Sequence, residues 1–259
     1  MTYKNIERCR FCGNTSLVSV LSLGEQYLTT RLAESSTQAE KVPLEVVLCP
    51  SCGLAQLTAA VPPDQLFRKY PYRSSLSATM RAAVDDAAQQ AVRRVTITYK
   101  DSVLDIGSND AAIFHNYPPE VWKLGFEPSG NMGWKRVSFD TWECAGKPIQ
   151  GAALVTNYFT EARYKMERED EKTKIITSLN VFQSVEEPQT FIKEISNILH
   201  PRGLWLNEFD YLPLTLKNNP VALIYCDKDK AGAIAIPKKE LMLLKTLRNQ
   251  ALLAIKQTT

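Results

Sequence analysis

Histidine is scarce in this chain of 259 residues: only His115 and His200 are present. Each is read as a helix or helix-end residue, which leaves little imidazole for acid/base work. Charge of one sign is also lacking. The formal net charge is +3, and residues 1–70 carry seven Lys/Arg against six Asp/Glu. There is no basic patch, so nucleic acid is excluded as a partner. No apolar run approaches the roughly 18–20 residues that cross a bilayer, so no membrane span is expected. Residues 1–10 lack the apolar core of a signal peptide, and the chain reads as cytoplasmic. No internal repeat is found at periods of about 20–50 residues. The composition, 44% hydrophobic and 23% charged, is that of an ordinary globular protein.

Cysteine is present in a pattern. Four of the six form two pairs, Cys9-Arg-Phe-Cys12 and Cys49-Pro-Ser-Cys52, each with a glycine directly after it, Gly13 and Gly53. A Cys-x-x-Cys turn lets both sulfurs face one ion, and the glycine permits the sharp turn that brings backbone amides toward the thiolates. Two such turns supply the four soft ligands of a closed tetrahedral zinc site. With no open coordination position, this zinc is structural. In a reducing compartment paired cysteines bind metal more often than each other, and a redox pair normally stands alone on a thioredoxin-like unit. Cys144 and Cys226 are ordinary thiols. Residues 42–49 and 17–23 read as strands, so residues 1–70 form a small zinc-pinned β module. Pro62, Pro63 and Pro71 mark its hinge to the rest of the chain.

Ser74 or Ser75 is the expected cap of a helix reaching Arg94. Leu76, Met80, Val84, Ala87, Ala91 and Val95 recur along it at spacings of three and four and form one core-facing stripe. From residue 102 the pattern alternates. Strands are expected at 102–106, 121–127, 174–179 and 203–209, with helices at 110–116, 131–137 and 188–199. Alternation of this kind predicts a parallel sheet covered on both faces, in an α/β domain spanning 71–237. Residues 161–174 carry five acidic and five basic side chains and read as a solvated helix or loop. At the C-terminal end, Leu244, Leu247, Ala251 and Ile255 predict an amphipathic helix within 238–259 that covers the sheet or a second subunit. Its polar face is too weakly basic for a membrane surface.

In such sheets ligands sit beyond the carboxyl ends of the strands, where strand order reverses. The segment "DIGSND", residues 105–110, lies at the end of the first strand of this kind. It lacks the three-glycine cradle of a diphosphate site, which favours a nucleoside with an uncharged tail over a dinucleotide. Gly107 lets the backbone approach a ligand. Twenty-two positions beyond Asp105, the second strand ends in "GFEPS" with Glu127 at its tip. A carboxylate there can accept hydrogen bonds from both ribose hydroxyls. Asp105, Gly107, Ser108, Asn109, Glu127 and Pro128 are the candidate cofactor residues. Asn180, which ends the next strand, is the polar group expected to touch cofactor or acceptor, with Ser178 and Glu208 nearby.

The order CRFCG, PLEVVLCPSCGLAQL, LFRKYPYRSSLS, VLDIGSND, GFEPSGN, NVFQSVEEP and GLWLNEFDYL resembles the zinc-containing S-adenosylmethionine-dependent C-methyltransferases of deoxysugar biosynthesis. The resemblance covers roughly residues 7–226. It implies a class I methyltransferase (Rossmann-like) domain after the zinc module, with S-adenosylmethionine as cofactor. It also implies a nucleotide-linked keto-deoxysugar as acceptor, deprotonated beside its ketone and methylated at that carbon. By the same resemblance Phe159 flanks the adenine ring. The pattern departs from the family at several places. Ser184 stands where a histidine is expected. Tyr225 is kept, but Cys226, Asp227 and Lys228 replace His-Glu-His, and Ala111 replaces a glycine. The family's second α/β domain is not represented, and a second polypeptide or a homo-oligomer is the corresponding expectation. Tyr72, Tyr225 and Asp227 are the acid/base candidates. Three readings stay open: a divergent sugar C-methyltransferase, a methyltransferase with another acceptor, and a non-catalytic binding or scaffold relative.

Overall fold

The structure is a computed structural model that describes residues 3–28, 40–209, 222–230 and 233–235. The predicted helix within 238–259 lies outside these. The chain divides into two compact units. The first comprises Met1–Tyr72 with Pro128–Asn131 and Glu186–Thr190; the second holds Arg73–Glu127, Met132–Val185 and Phe191–Thr259.

In the first unit, β1 (Lys4–Asn5), β2 (Val18–Tyr27), β3 (Lys41–Leu48), β4 (Ala55–Leu57) and β5 (Ala59–Ala60) precede a one-turn helix α1 (Pro63–Phe67). β2, β3 and β4 form an antiparallel sheet in that order, and β1 pairs with β5. Apolar packing here is thin: among the described residues of the module, Cys9, Val47, Cys49, Ala59 and Ala60 are the buried apolar side chains. Val18, Leu21 and Leu23 of β2 remain exposed. Folding of such a unit depends on something besides its core.

The second unit opens with a 3₁₀ turn at Ser74–Leu76 and helix α2 (Ala78–Arg94). The cap is Ser77, whose hydroxyl accepts the Met80 N–H at 3.4 Å, so the helix starts later than its sequence predicts. Leu76 accordingly falls outside the stripe and is 77% exposed, while Val84, Ala87, Ala88 and Ala91 are buried. Strands β6 (Ser102–Ile106), β7 (Trp122–Phe126), β11 (Ala152–Val155), β12 (Thr173–Leu179) and β13 (Leu199–Phe209) run parallel in the order β11-β7-β6-β12-β13. β14 (Ala222–Lys230) and β15 (Ala233–Ala235) extend the sheet antiparallel beyond β13. In sequence rank the parallel strands read 3-2-1-4-5, the doubly wound order, and the reversal lies between β6 and β12.

Successive residues of the central strands feed opposite cores, as the two-residue strand period requires. Val103, Ile175, Leu204 and Leu206 pack with α2 residues. Leu104, Ile176 and Trp205 pack on the other face with Tyr164 of α3 (Glu161–Arg168) and Phe191 and Ile195 of α4 (Pro188–Ile198). Burial on both faces is why these strands read as apolar runs rather than as alternating ones.

Two predicted helices are corrected. Residues 131–137 form no helix: Gly133 takes φ +77°, and the chain enters β8 (Lys135–Arg136), which joins β9 (Thr141–Cys144) and β10 (Lys147–Gln150) in a small antiparallel sheet. Residues 110–116 form a 3₁₀ turn at Ala112–Asn116, because Asn109 and Ala111 stand at φ +50° and +57°, incompatible with a continuous right-handed helix. Among the described residues no helix is long and apolar enough to cross a membrane.

Candidate functional site

The two cysteine turns share one local geometry. In the first, the Gly13 N–H donates to the Cys9 carbonyl (2.9 Å) and the Cys9 N–H to the Asn14 carbonyl (2.8 Å); in the second, Gly53 and Cys49 repeat the pattern with Cys49 and Leu54 (2.8 Å each). Gly13 and Gly53 take φ +76° and +79°, which a side chain would strain. Gln56 fixes the first turn, accepting the Arg10 N–H at 2.9 Å and donating to the Arg8 carbonyl at 3.0 Å. The four sulfurs thereby converge. Cys9 and Cys52, and Cys12 and Cys49, lie 3.5 Å apart, and all four are within 4.8 Å of one another. Four thiolates bound tetrahedrally to zinc at about 2.3 Å would sit about 3.8 Å from each other. The donor set fits zinc, and with every position taken the ion has no room for substrate.

The second candidate site lies at the switch point. Asp105 of β6 is 5% exposed, and the Thr177 hydroxyl of β12 donates to its carboxylate. Burial pushes the Asp105 pKa up to about 7, against the opposing hydrogen bonds of Thr177 and Ser108; the nearby Glu127 charge adds to the rise. After Ile106 the chain turns back: the Gly107 and Ser108 N–H groups both donate to the Phe126 carbonyl, at 2.8 and 3.0 Å. The Ser108 hydroxyl donates to the Asp105 carbonyl at 2.7 Å. Gly107 stands at φ +75°, and a Cβ there would meet Val181 Cγ2 at 2.5 Å. Close approach at Gly107 is therefore made by a side chain of the protein itself.

Glu127, 5% exposed at the tip of β7, accepts the Asn109 N–H through Oε2 at 2.9 Å. The structure thus brings Asp105, Gly107, Ser108, Asn109 and Glu127 together around one loop. Asn180 lies beyond β12 at φ +56°, exposed, with its N–H donating to the Glu208 carbonyl at 2.8 Å. Ser178 and Asn207 point inward and bond each other at 2.7 Å, and the Trp205 indole donates to Ser178 at 2.8 Å. Phe159 is 8% exposed and packs edge-on against Phe126 and Phe191, with ring centroids 5.6 and 5.7 Å away. That environment is core.

Other predicted residues are more scattered. Pro128 follows Glu127 but groups with the first unit, as does Tyr72, whose ring lies edge-on to Tyr70 at 6.3 Å. Tyr225 and Asp227 fall on β14, in register with Leu206 and Leu204. Asp227 is therefore four residues back from Leu223, which pairs with Glu208 near the carboxyl end of β13. His200 opens β13, at the opposite end of the strand from the crevice. Sequence reasoning missed two features. Gly125 sits mid-strand where a Cβ would meet Leu154, Ser108 and Phe114 at 2.7–3.0 Å. Ser74 and Ser75 donate their N–H groups to the side chains of Asn109 and Asp110. A glycine inside an apolar strand signals the first; nothing local signals the second.

Residues 9–67 match the Methyltransf_13 family model, whose description is "Putative zinc binding domain". Over 227 residues the chain is 27% identical to the C-methyltransferase NovU of Streptomyces niveus, covering 85% of this chain and 51% of that one. The chain thus spans about half the length of this curated relative. Among solved structures, the plantazolicin methyltransferase BpumL, in complex with a monoazolic desmethylPZN analog and SAH, is 14% identical over 54% of this chain and 51% of its own, at a TM-score of 0.39. The CurJ carbon methyltransferase is 13% identical over 57% and 42%, also at 0.39. The strand order, not these superpositions, establishes the doubly wound fold. Residues 9–67, whose four cysteines converge, are accordingly a zinc-binding module of the kind that family model describes, and over most of its length the chain is similar to a C-methyltransferase.

Proposed function

We propose that the chain is an S-adenosylmethionine-dependent C-methyltransferase whose acceptor is a nucleotide-linked keto-deoxysugar. One observation carries the cofactor half: a buried carboxylate, Glu127, stands at the tip of β7 and engages the loop after β6, beside the point where strand order reverses. That is where a doubly wound sheet receives a nucleoside, with the strand-tip acid on the ribose hydroxyls. The loop has no triple-glycine cradle, so it suits a sulfonium nucleoside better than a diphosphate. The relative's name, a C-methyltransferase, supports carbon as the methylated atom, and the sequence resemblance supports the sugar.

In this reading a base removes the proton from the carbon next to the ketone. The enolate carbon then attacks the methyl group in line with its bond to sulfur, leaving S-adenosylhomocysteine. Tyr72 and Tyr225 are the candidates for proton transfer and for stabilising the enolate oxygen. Asp227, set further back by register, is the weaker one.

Calorimetry with S-adenosylhomocysteine, on the wild type and Glu127→Ala, tests the cofactor half. Loss of charge-assisted hydrogen bonds of about 1.5–3 kcal/mol weakens binding about 10- to 100-fold. Equal affinity for the two proteins, or none for either, removes the proposal. Transfer of labelled methyl to a keto-sugar nucleotide tests the acceptor. The scarcity of histidine, with His200 remote from the crevice, favours one alternative: a relative that binds the cofactor without turnover. Binding with no transfer to any acceptor would decide for it.

A further inference from the structure

Asn109 is a junction between three segments that are distant in sequence. Its backbone N–H donates to Glu127 Oε2 at 2.9 Å, while its side-chain Oδ1 accepts the Ser74 N–H at 3.0 Å and the Asp110 N–H at 2.9 Å. The residue stands at φ +50°, a left-handed conformation that asparagine tolerates better than most side chains. Its neighbour Asp110, 3% exposed, accepts the Ser75 N–H through Oδ2 at 2.9 Å. Ser74 and Ser75 open the 3₁₀ turn Ser74–Leu76, and the first N–H groups of such a turn have no partner within it. The two side chains of the loop supply those partners. The turn before α2 is therefore suspended from the loop that faces Glu127.

We infer that Asn109 is a positioning residue that couples occupation of the methyl-donor site to the placement of the Ser74–Leu76 turn. The inference rests on the functional reading proposed for that site. A ribose that engages Glu127 acts on the carboxylate that already holds the Asn109 amide. Asn109 cannot shift without moving the acceptor of the Ser74 N–H, because amide and carboxamide belong to one residue. Conversely, a turn released from Oδ1 leaves the Asn109 side chain without this anchor, and the loop meets the cofactor less well ordered. Order gained in one place lowers the cost of order in the other.

The turn offers a clean probe. Arg73, before it, has extended backbone (φ −130°, ψ 129°), the conformation that a following proline demands. The first position of a helical turn accepts proline. Ser74→Pro thus deletes the N–H and leaves Asn109 and Glu127 intact, while Ser74→Ala deletes only the hydroxyl. With S-adenosylhomocysteine as the probe, Ser74→Ala is expected to bind like the wild type and Ser74→Pro three- to tenfold more weakly, by calorimetry. In hydrogen exchange, the ligand should slow the amides of residues 75–80 in the wild type and in Ser74→Ala, and lose that effect in Ser74→Pro. A purely structural bond would lower thermal stability and leave affinity and ligand protection unchanged. Should Ser74→Pro fail to fold, Asn109→Gly removes the carboxamide at a backbone angle that glycine adopts freely, and Asn109→Asp, which keeps an acceptor, should restore the affinity that Asn109→Gly loses. Affinities of Ser74→Pro and Ser74→Ala within twofold of each other overturn the inference alone. Absence of binding by the wild type overturns both the functional reading and the inference.

Discussion

Thr177 and Asp105 are register partners on the two strands that flank the switch point, and the Thr177 hydroxyl donates to the Asp105 carboxylate. The acid is buried in a sheet with apolar packing on both faces, so removal of its proton is costly. Its native pKa is raised to about 7 from 3.8. In the unfolded chain it loses its proton near the ordinary value. Between these limits the native state binds more protons than the unfolded state, so stability falls as pH rises from about 4 to 7 and levels off above. The effect is on the order of a few kcal/mol across the window. Urea unfolding at pH 5, 6, 7 and 8 should show that decline in the wild type and a flatter profile in Asp105→Asn, which mimics the neutral acid. Parallel profiles would place the titration elsewhere.

The zinc module buries few apolar side chains, and its four sulfurs lie together without a disulfide among them. Binding energy for structural zinc, about 10–16 kcal/mol in small domains, far exceeds what such a core supplies. Metal analysis should give one zinc per chain. Cys9→Ser and Cys49→Ser should each lose it, and a chelator should unfold the module in a transition separate from that of the α/β unit. Full zinc content in Cys49→Ser would contradict the four-thiolate site.

Gly107 is constrained twice, by φ +75° and by Val181 Cγ2, 2.5 Å from where a Cβ would be. Valine is stiff about χ1, so it cannot swing aside cheaply. Gly107→Ala should cost about 2–3 kcal/mol, part steric and part backbone strain. In a Val181→Ala background the steric part goes and the backbone part stays, so the cost should drop to about 1–2 kcal/mol. A double-mutant cycle by chemical denaturation reads the difference. No coupling between the two sites would mean that the contact carries no energy.

Legibility in the sequence followed how local each determinant is. The cysteine turns were readable because a two-residue gap and a glycine fix their geometry without help from the rest of the chain. β6, β7 and β12 were readable as short apolar runs, and the spacing from Asp105 to Glu127 followed from them. β11 was missed: Ala152–Val155 is only four residues, and its partner β7 is what makes it a strand. The stripe on α2 faces the core at Val84, Ala87, Ala91 and Val95, while Met80 is only half-buried. Leu76 falls outside the helix, because the cap at Ser77 depends on how the preceding turn hangs from Asn109 and Asp110. That suspension joins residues 35 positions apart, and no periodicity records it. The role of Gly107 was half legible. A close approach there was readable from the missing side chain, but the occupant of the space beside it, Val181, comes from the loop after β12.

Lys123 of β7 is 2% exposed, a burial that lysine rarely reaches unless its ammonium is paired. Its ammonium donates to the carbonyls of Val121 (2.7 Å), Pro118 (2.8 Å), Gln150 (3.1 Å) and Pro119 (3.4 Å). These carbonyls belong to the chain entering β7 and the chain entering β11, so one cation ties together the amino-terminal ends of two neighbouring strands. Lys123→Met keeps the length and apolar stem and removes every donor. Carbonyls left without a partner each cost desolvation energy, and the substitution should destabilise the α/β unit by about 2–4 kcal/mol. Lys123→Arg, which keeps the charge but cannot fit a planar fork where an ammonium points its three donors, should recover only part of that loss. The site lies at the far ends of the strands from Glu127, so denaturation midpoints should fall in both variants while S-adenosylhomocysteine affinity at low temperature holds. A Met variant as stable as the wild type would show that water, rather than Lys123, satisfies those carbonyls.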